Sequence, residues 1–150
     1  MSTRDAWFAD LLAESYAKLV GEPLVPEGMS GDVAAAWLYE APFGLLAQDT
    51  SPDPLFTYAN LSAQQRFGYS WDEFVGLPSR LSAAGGQARE RRERFMDTVR
   101  RQGYADNYRG PRIAKSGRRF WIQETTVWNL VNSRSALFGQ AALIRSWADA

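Results

Sequence analysis

Apolar residues recur at helical spacing between Thr3 and Val20, at Phe8, Leu11, Leu12, Tyr16 and Leu19, and the pattern stops at Gly21 with Pro23 just beyond. That spacing predicts an amphipathic helix closed by a glycine. Leu24 to Gly28 reads as a linker. Ser30 can then cap a second helix that turns Val33, Trp37 and Leu38 toward a core and ends at Pro42. Such leading helices either cover the outer face of a sheet or pair with a second copy, and covering is the favoured expectation. From Phe43 the period changes to two. Phe43 to Thr50, turn chemistry from Asp49 to Pro54, and the alternating run Leu55 to Asn60 predict a first hairpin.

Helical spacing returns over Leu61 to Tyr69 and ends near Gly68, and Ser70-Trp71-Asp72-Glu73 is a capping-box pattern opening a short helix closed by Gly76. Leu77 to Leu81 reads as irregular. After Gly85-Gly86 a longer helix runs through Gln102, with Ala88, Arg92, Phe95 and Val99 on one side. Tyr108 to Ala114 and Arg119 to Trp128, joined at Lys115-Ser116-Gly117-Arg118, predict a central hairpin, and Leu137 to Ile144 a last strand. This order predicts an α+β fold: an antiparallel sheet with helices on its faces and no internal repeat. Residues 1–36 are expected to be a helical extension and residues 37–150 the sheet domain.

In the central hairpin, strict alternation puts Phe120, Ile122, Trp128 and Leu130 on one face with Glu124 and Thr126 between them. An ionised carboxylate on an apolar face needs a partner, a ligand or a proton. The matching face of the preceding strand carries Tyr108, Gly110 and Arg112. Arg112 is expected to land near Ile122, within diagonal reach of Glu124. Two readings stay open: a structural ion pair that fixes register, and the polar wall of a pocket.

Composition narrows the chemistry. The chain of 150 residues is 45% hydrophobic and 13% aromatic, enough for one domain with its own core. It has no cysteine and no histidine, which removes thiol nucleophiles, disulfides and histidine-based catalysis, metal or haem ligation. Seventeen basic and seventeen acidic residues cancel, so no global charge points to nucleic acid. The arginines between Arg89 and Arg101 alternate with Glu90, Glu93 and Asp97 and read as a solvated face. No stretch approaches membrane length, and a soluble, cytoplasmic protein is expected.

Tyr58-Ala59-Asn60, the segment Gly68 to Gly76, and Lys115-Ser116-Gly117-Arg118-Arg119-Phe120-Trp121 resemble the PAS superfamily, and more narrowly the MEKHLA domain family, whose pattern is also matched by Leu77 to Ser82 and by Thr126-Val127-Trp128-Asn129-Leu130. The resemblance covers roughly Trp37 to Trp147. The Met-Glu-Lys-His-Leu-Ala string that names the family, a feature of its plant members, is missing. The resemblance implies a five-stranded antiparallel sheet with short helices on one face, here with two extra N-terminal helices. It implies a noncatalytic sensory or ligand-binding module, with a protein-interaction or dimerisation module that holds no ligand as the alternative.

The resemblance extends to light-oxygen-voltage domains, where a cysteine in an Asn-Cys-Arg-Phe-Leu string attacks a bound flavin. Ser79 occupies that cysteine position. The flavin-bonding amides match Arg112 and Ile122, and the glutamine position matches Ala141, with Gln140 one residue away and expected on the opposite face. Only Arg80 keeps its type, at a position that contacts phosphate. The cofactor is thus unknown, with flavin disfavoured. The residues expected to line a ligand site are Arg112, Glu124, Tyr108, Ile122, Trp128, Arg80 and Asn60, although for Asn60, as for Asn129, a backbone bond at a strand end is the preferred use. A small polar or zwitterionic metabolite with an apolar part would suit such walls. A protein partner or a homodimer is possible, and neither nucleic acid nor membrane is expected.

Overall fold

The computed structural model describes residues 5–150; Thr3 and Arg4, where the first helical pattern begins, lie outside them. Helix α1 spans Ala6–Leu19, with the Asp5 carboxylate accepting the Phe8 amide at 2.9 Å as its cap. Its predicted stripe is the buried one, since Phe8, Leu11, Leu12 and Tyr16 all lie in the core. Helix α2, Gly31–Glu40, packs on α1. Ser30 makes no cap bond there. Instead Asp10 of α1 accepts the Gly31 amide at 2.9 Å, tying the two helices together. Val33 is 63% exposed, contrary to its expected core role, because the close approach is made by the smaller Ala34 and Ala35.

Strands β1 (Gly44–Gln48) and β2 (Phe56–Ala59) form the first hairpin. Helices α3 (Leu61–Phe67) and α4 (Trp71–Phe74) follow, the first closed by left-handed Gly68 and the second opened by a full capping box between Ser70 and Glu73. Ser79–Ser82 makes a single 3-10 turn where an irregular stretch was expected, and α5 covers Gln87–Gln102. Strands β3 (Tyr104–Ile113), β4 (Arg119–Val131) and β5 (Leu137–Ile144) complete the predicted set. A sixth strand, β6 (Ser146–Asp149), is additional. The sheet runs β2-β1-β5-β4-β3, antiparallel throughout, and β6 pairs with the first part of β4. The outer sides of the sheet are partly covered: Phe56 exchanges backbone bonds with Gly76 and Leu77, and Ala83 bridges to Arg112. Among the described residues no helix is long and apolar enough to cross a membrane.

Two cores flank the sheet. On one face α1 and α2 pack on Leu45, Ala47, Trp128, Leu130, Ala141 and Leu143. The Trp128 indole donates to Ser15 Oγ at 2.9 Å, and its ring meets Tyr16 edge-on at 4.8 Å, so α1 covers the sheet as expected. On the other face α3 and α4 supply Ala63, Phe67 and Phe74 against Leu46, Phe120, Ile122 and Ile144.

Phe120 and Ile122 therefore face one core while Trp128 and Leu130 face the other, which strict alternation forbids. The cause is Glu124, whose φ is +47°, a left-handed residue in mid-strand. It adds one residue to the pleat, so Thr125 and Thr126 are both buried and the even positions beyond it change face. Arg145, in the break between β5 and β6, holds the kink: its guanidinium donates to the Glu124 carbonyl, to Thr126 Oγ1 at 2.8 Å and to Tyr16 Oη at 2.9 Å. Burial raises the Tyr16 pKa above the usual tyrosine value while Arg145 pulls it back.

Candidate functional site

Where α3 and α4 leave the second face uncovered, α5 and the segment from Ser79 to Gly85 arch over β1, β5, β4 and β3 and enclose a cleft of about 720 Å³. Its floor follows from strand parity. Leu46 and Gln48 point in from β1, Gln140, Ala142 and Ile144 from β5, and Ile122, Thr125 and Val127 from β4, the last two only because of the Glu124 bulge. The roof is the inward side of α5, with Arg92, Phe95 and Met96. The floor is apolar at its centre and polar toward Gln48 and Gln140, which face each other across β1 and β5. Gln48 Nε2 donates to Gln140 Oε1 at 3.4 Å, Gln140 Nε2 to Asn129 Oδ1 at 3.2 Å, and Asn129 Nδ2 to the Val99 carbonyl of α5 at 3.3 Å.

The side wall is built by β3. Tyr108 folds back along its own strand over Gly110, where any Cβ would lie 2.6 Å from Tyr108 Cζ, so glycine there is what lets the ring lie flat. The ring packs on Phe95 at a 40° tilt with centroids 4.5 Å apart, and the Arg112 guanidinium carbon stands 5.6 Å from the Tyr108 ring centroid. Arg112 also donates to the Pro111 carbonyl at 2.9 Å. Burial lowers its pKa from the ordinary guanidinium value, partly offset by Tyr108, and an arginine remains charged at neutral pH all the same. At the mouth Arg80 is exposed and bonded to Asp53 at 3.2 Å. Asp49 lies there as well; burial acts to raise its pKa, but the Leu55 and Ser51 amides it accepts outweigh that and hold it below the usual carboxylate range. The open depression on the outside of α5, between Gly86 and Arg94, has alternating charges and no enclosed wall.

Of the seven residues singled out from sequence, Tyr108, Arg112 and Ile122 line the cleft and Arg80 lies at its mouth. Asn60 does not reach it. That residue is buried and joins α2, β1 and α3, accepting from Leu45 and Ala63 and donating to Leu38 and Phe43. Trp128 lies on the opposite face, under α1. Glu124 is exposed, and Arg112 pairs in register with Phe120 rather than Ile122, so the expected Arg112–Glu124 pair does not form. The bulge is the physical reason for the placements of Glu124 and Trp128, and the turn closed by the Ala114–Arg118 backbone bond sets the register of Arg112. Gln140, expected on the far face, points into the cleft, and Ala141 packs under α1. Gln48, Thr125 and Met96 were missed. Gln48 had a legible signal, a polar residue in phase with Leu46.

Glu124→Gly is expected to be neutral or stabilising by up to about 1 kcal/mol, since glycine adopts a left-handed φ without steric cost. A urea titration that gave a lower midpoint would mean that the carboxylate, and not the backbone kink, matters at this position.

The family model for the MEKHLA domain matches residues 6–149. The chain belongs to the MEKHLA domain family. The match includes α1 and α2 together with the sheet. No curated protein sequence matches it significantly. Among solved structures, this MEKHLA chain is similar to the PAS domain of a protein from Colwellia psychrerythraea, at 16% identity over 75% of this chain and 92% of that one, with a TM-score of 0.65. It is similar to a light-oxygen-voltage domain studied with a flavin analogue, at 17% identity over 77% and 83% of the two chains and a TM-score of 0.63. A third is the light-oxygen-voltage domain of a blue-light activated histidine kinase from Erythrobacter litoralis EL346, at 20% identity over 73% and 97%, TM-score 0.60. At these identities the likeness is one of fold, and that fold is PAS-like.

The MEKHLA cleft does not fit a photoactive flavin. Ser79 supplies a hydroxyl where adduct chemistry requires a thiolate. Ile122 offers only methyl groups and Arg112 a cation where ring-bonding amides would stand, and Arg80 is engaged by Asp53. The side-chain amides that the cleft does present, Gln48 and Gln140, are bonded to each other.

Proposed function

We propose that the chain is a noncatalytic PAS-like sensory module, which binds a small molecule in the cleft between α5 and the sheet and passes the occupied state to a protein partner or a second copy of itself in the cytoplasm. The cleft carries this reading. Its volume falls within the range of about 300–1,000 Å³ typical of small-molecule sites, and its walls combine apolar side chains with a few convergent polar ones. The responsive element is α5, which begins after Gly85-Gly86 and, among its sixteen residues, fully buries only Val99. A helix so lightly held can change its packing when a ligand fills the space beneath it.

The alternative, an interaction module without a ligand, is favoured by one observation: Trp7 is 56% exposed and meets the exposed Phe138 edge-on at 5.3 Å beside Leu137. Native mass spectrometry of the freshly purified protein, with an absorbance spectrum through the visible, separates the two. The expected result is an added small-molecule mass at one per chain without flavin absorbance. A bare dimer mass that no added metabolite alters would replace the sensory reading with the interaction one.

A further inference from the structure

The lining of the cleft holds a charge imbalance. Five arginines (Arg80, Arg89, Arg92, Arg100 and Arg112) line it, against three acids, Asp49, Asp53 and Glu93. Two of the acids are already engaged, Asp53 by Arg80 and Asp49 by the Ser51 and Leu55 amides, and Glu93 is exposed on α5. The two arginines that reach inward are Arg92 from the roof and Arg112 from the wall. Among the described residues neither has a carboxylate within ion-pair distance, and each spends one donor on a backbone carbonyl, Arg92 on Ala84 at 3.2 Å and Arg112 on Pro111 at 2.9 Å. A guanidinium has five N–H donors, so even with the Tyr108 hydroxyl close to Arg112 both side chains keep donors for a ligand.

We propose that the cleft binds an organic anion, an aromatic or aliphatic carboxylate or sulfonate, whose charged group is held by Arg112 with Arg92 and whose apolar body lies between Phe95 and Ile122. This deepens the reading of the cleft as a small-molecule site and rests on it. The chemistry is that of the guanidinium fork: it takes a planar carboxylate in two parallel charge-assisted bonds, and the half-buried setting of Arg112 weakens the competition from water. A cation left unpaired in a semi-enclosed site costs folding free energy, and a bound anion recovers it. Tyr108 contacts both Phe95 and Arg112 and so links the charged end to the apolar one. The site differs from the phosphate-contacting position at Arg80, which is exposed and already paired with Asp53.

The test uses two fluorescent probes of one ring system, 1-anilinonaphthalene-8-sulfonate and its uncharged counterpart N-phenyl-1-naphthylamine, titrated into the full chain. The sulfonate is expected to bind about tenfold or more tighter than the neutral probe. Arg112→Gln is expected to abolish that preference and leave neutral-probe affinity within about twofold, with Arg112→Lys intermediate. Arg92→Gln should reduce the preference less, and serves if Arg112→Gln fails to fold. Equal affinity for the two probes, or a preference that Arg112→Gln and Arg92→Gln leave intact, overturns the anion site while the cleft stands as a small-molecule site. Failure of both probes to bind overturns the anion site and the small-molecule reading together.

Discussion

Asn60→Ala is expected to remove about 3–5 kcal/mol of a folding stability that totals about 5–15. The magnitude follows from what the amide joins. Its oxygen accepts from Leu45 at 3.0 Å and Ala63 at 3.2 Å, and its nitrogen donates to Leu38 at 3.1 Å and Phe43 at 2.9 Å. Each partner is a backbone group, on β1, α3, the end of α2 and the loop between them. Alanine would strand them together in a site with no measurable exposure, where water cannot take over. The Asn60 backbone would still bond Leu45, so the strand end would persist while α2 and α3 lost their common anchor. Chemical denaturation checks this: the midpoint should collapse with little change in slope. A loss under about 1 kcal/mol would mean that these four groups are satisfied in some other way.

Gly139→Ala ranks beside it. Gly139 has φ +144°, and a Cβ there would run into the Gln48 carbonyl oxygen and lie 3.0 Å from its carbon and 3.2 Å from Asp49 Cα. All three are backbone atoms, so no side chain can rotate away. Strain and overpacking together suggest a cost of about 2–6 kcal/mol. The chain could lower that cost only by separating β5 from β1, which would move Gln140 away from Gln48 and open one end of the cleft. The variant should therefore lose both thermal stability and probe affinity, measured by circular dichroism melting and by the titration described above. Retained affinity with lowered stability would show that the Gln48–Gln140 end takes no part in binding.

Most of the fold was legible because local signals agreed with one another. The capping box at Ser70, the glycine stops at Gly68 and Gly103 and the Lys115 to Arg118 turn each stand where composition placed them, and β5 has the bounds its apolar run suggested. The site was less legible mainly for one reason. Strand parity is a global inference from a local rule, and one left-handed residue inverts everything beyond it. Glu124 is no glycine or asparagine, so nothing in its type announced a positive φ. From that point Trp128 was assigned to the wrong face, and Thr125 and Val127 were overlooked. Gln140 failed differently: alternation holds from Gln140 to Ile144, and the resemblance had put the matching position one residue on, at Ala141. Strand β6 was too short, and too close behind β5, to register as a separate element, since the turn between them is made by Arg145 alone.

The flanks of the sheet bear on how the protein behaves when crowded. β2 is four residues long and is bonded on its outer side by Gly76 and Leu77, and β3 carries Pro111, which has no N–H to offer, together with a left-handed Asn107 and the bridge from Ala83. Neither side presents a long row of free amides and carbonyls of the kind that recruits another chain into a growing sheet. Concentrated solutions should therefore resist amyloid-like stacking, and any physiological assembly would have to form through side chains rather than through a shared, continuous sheet.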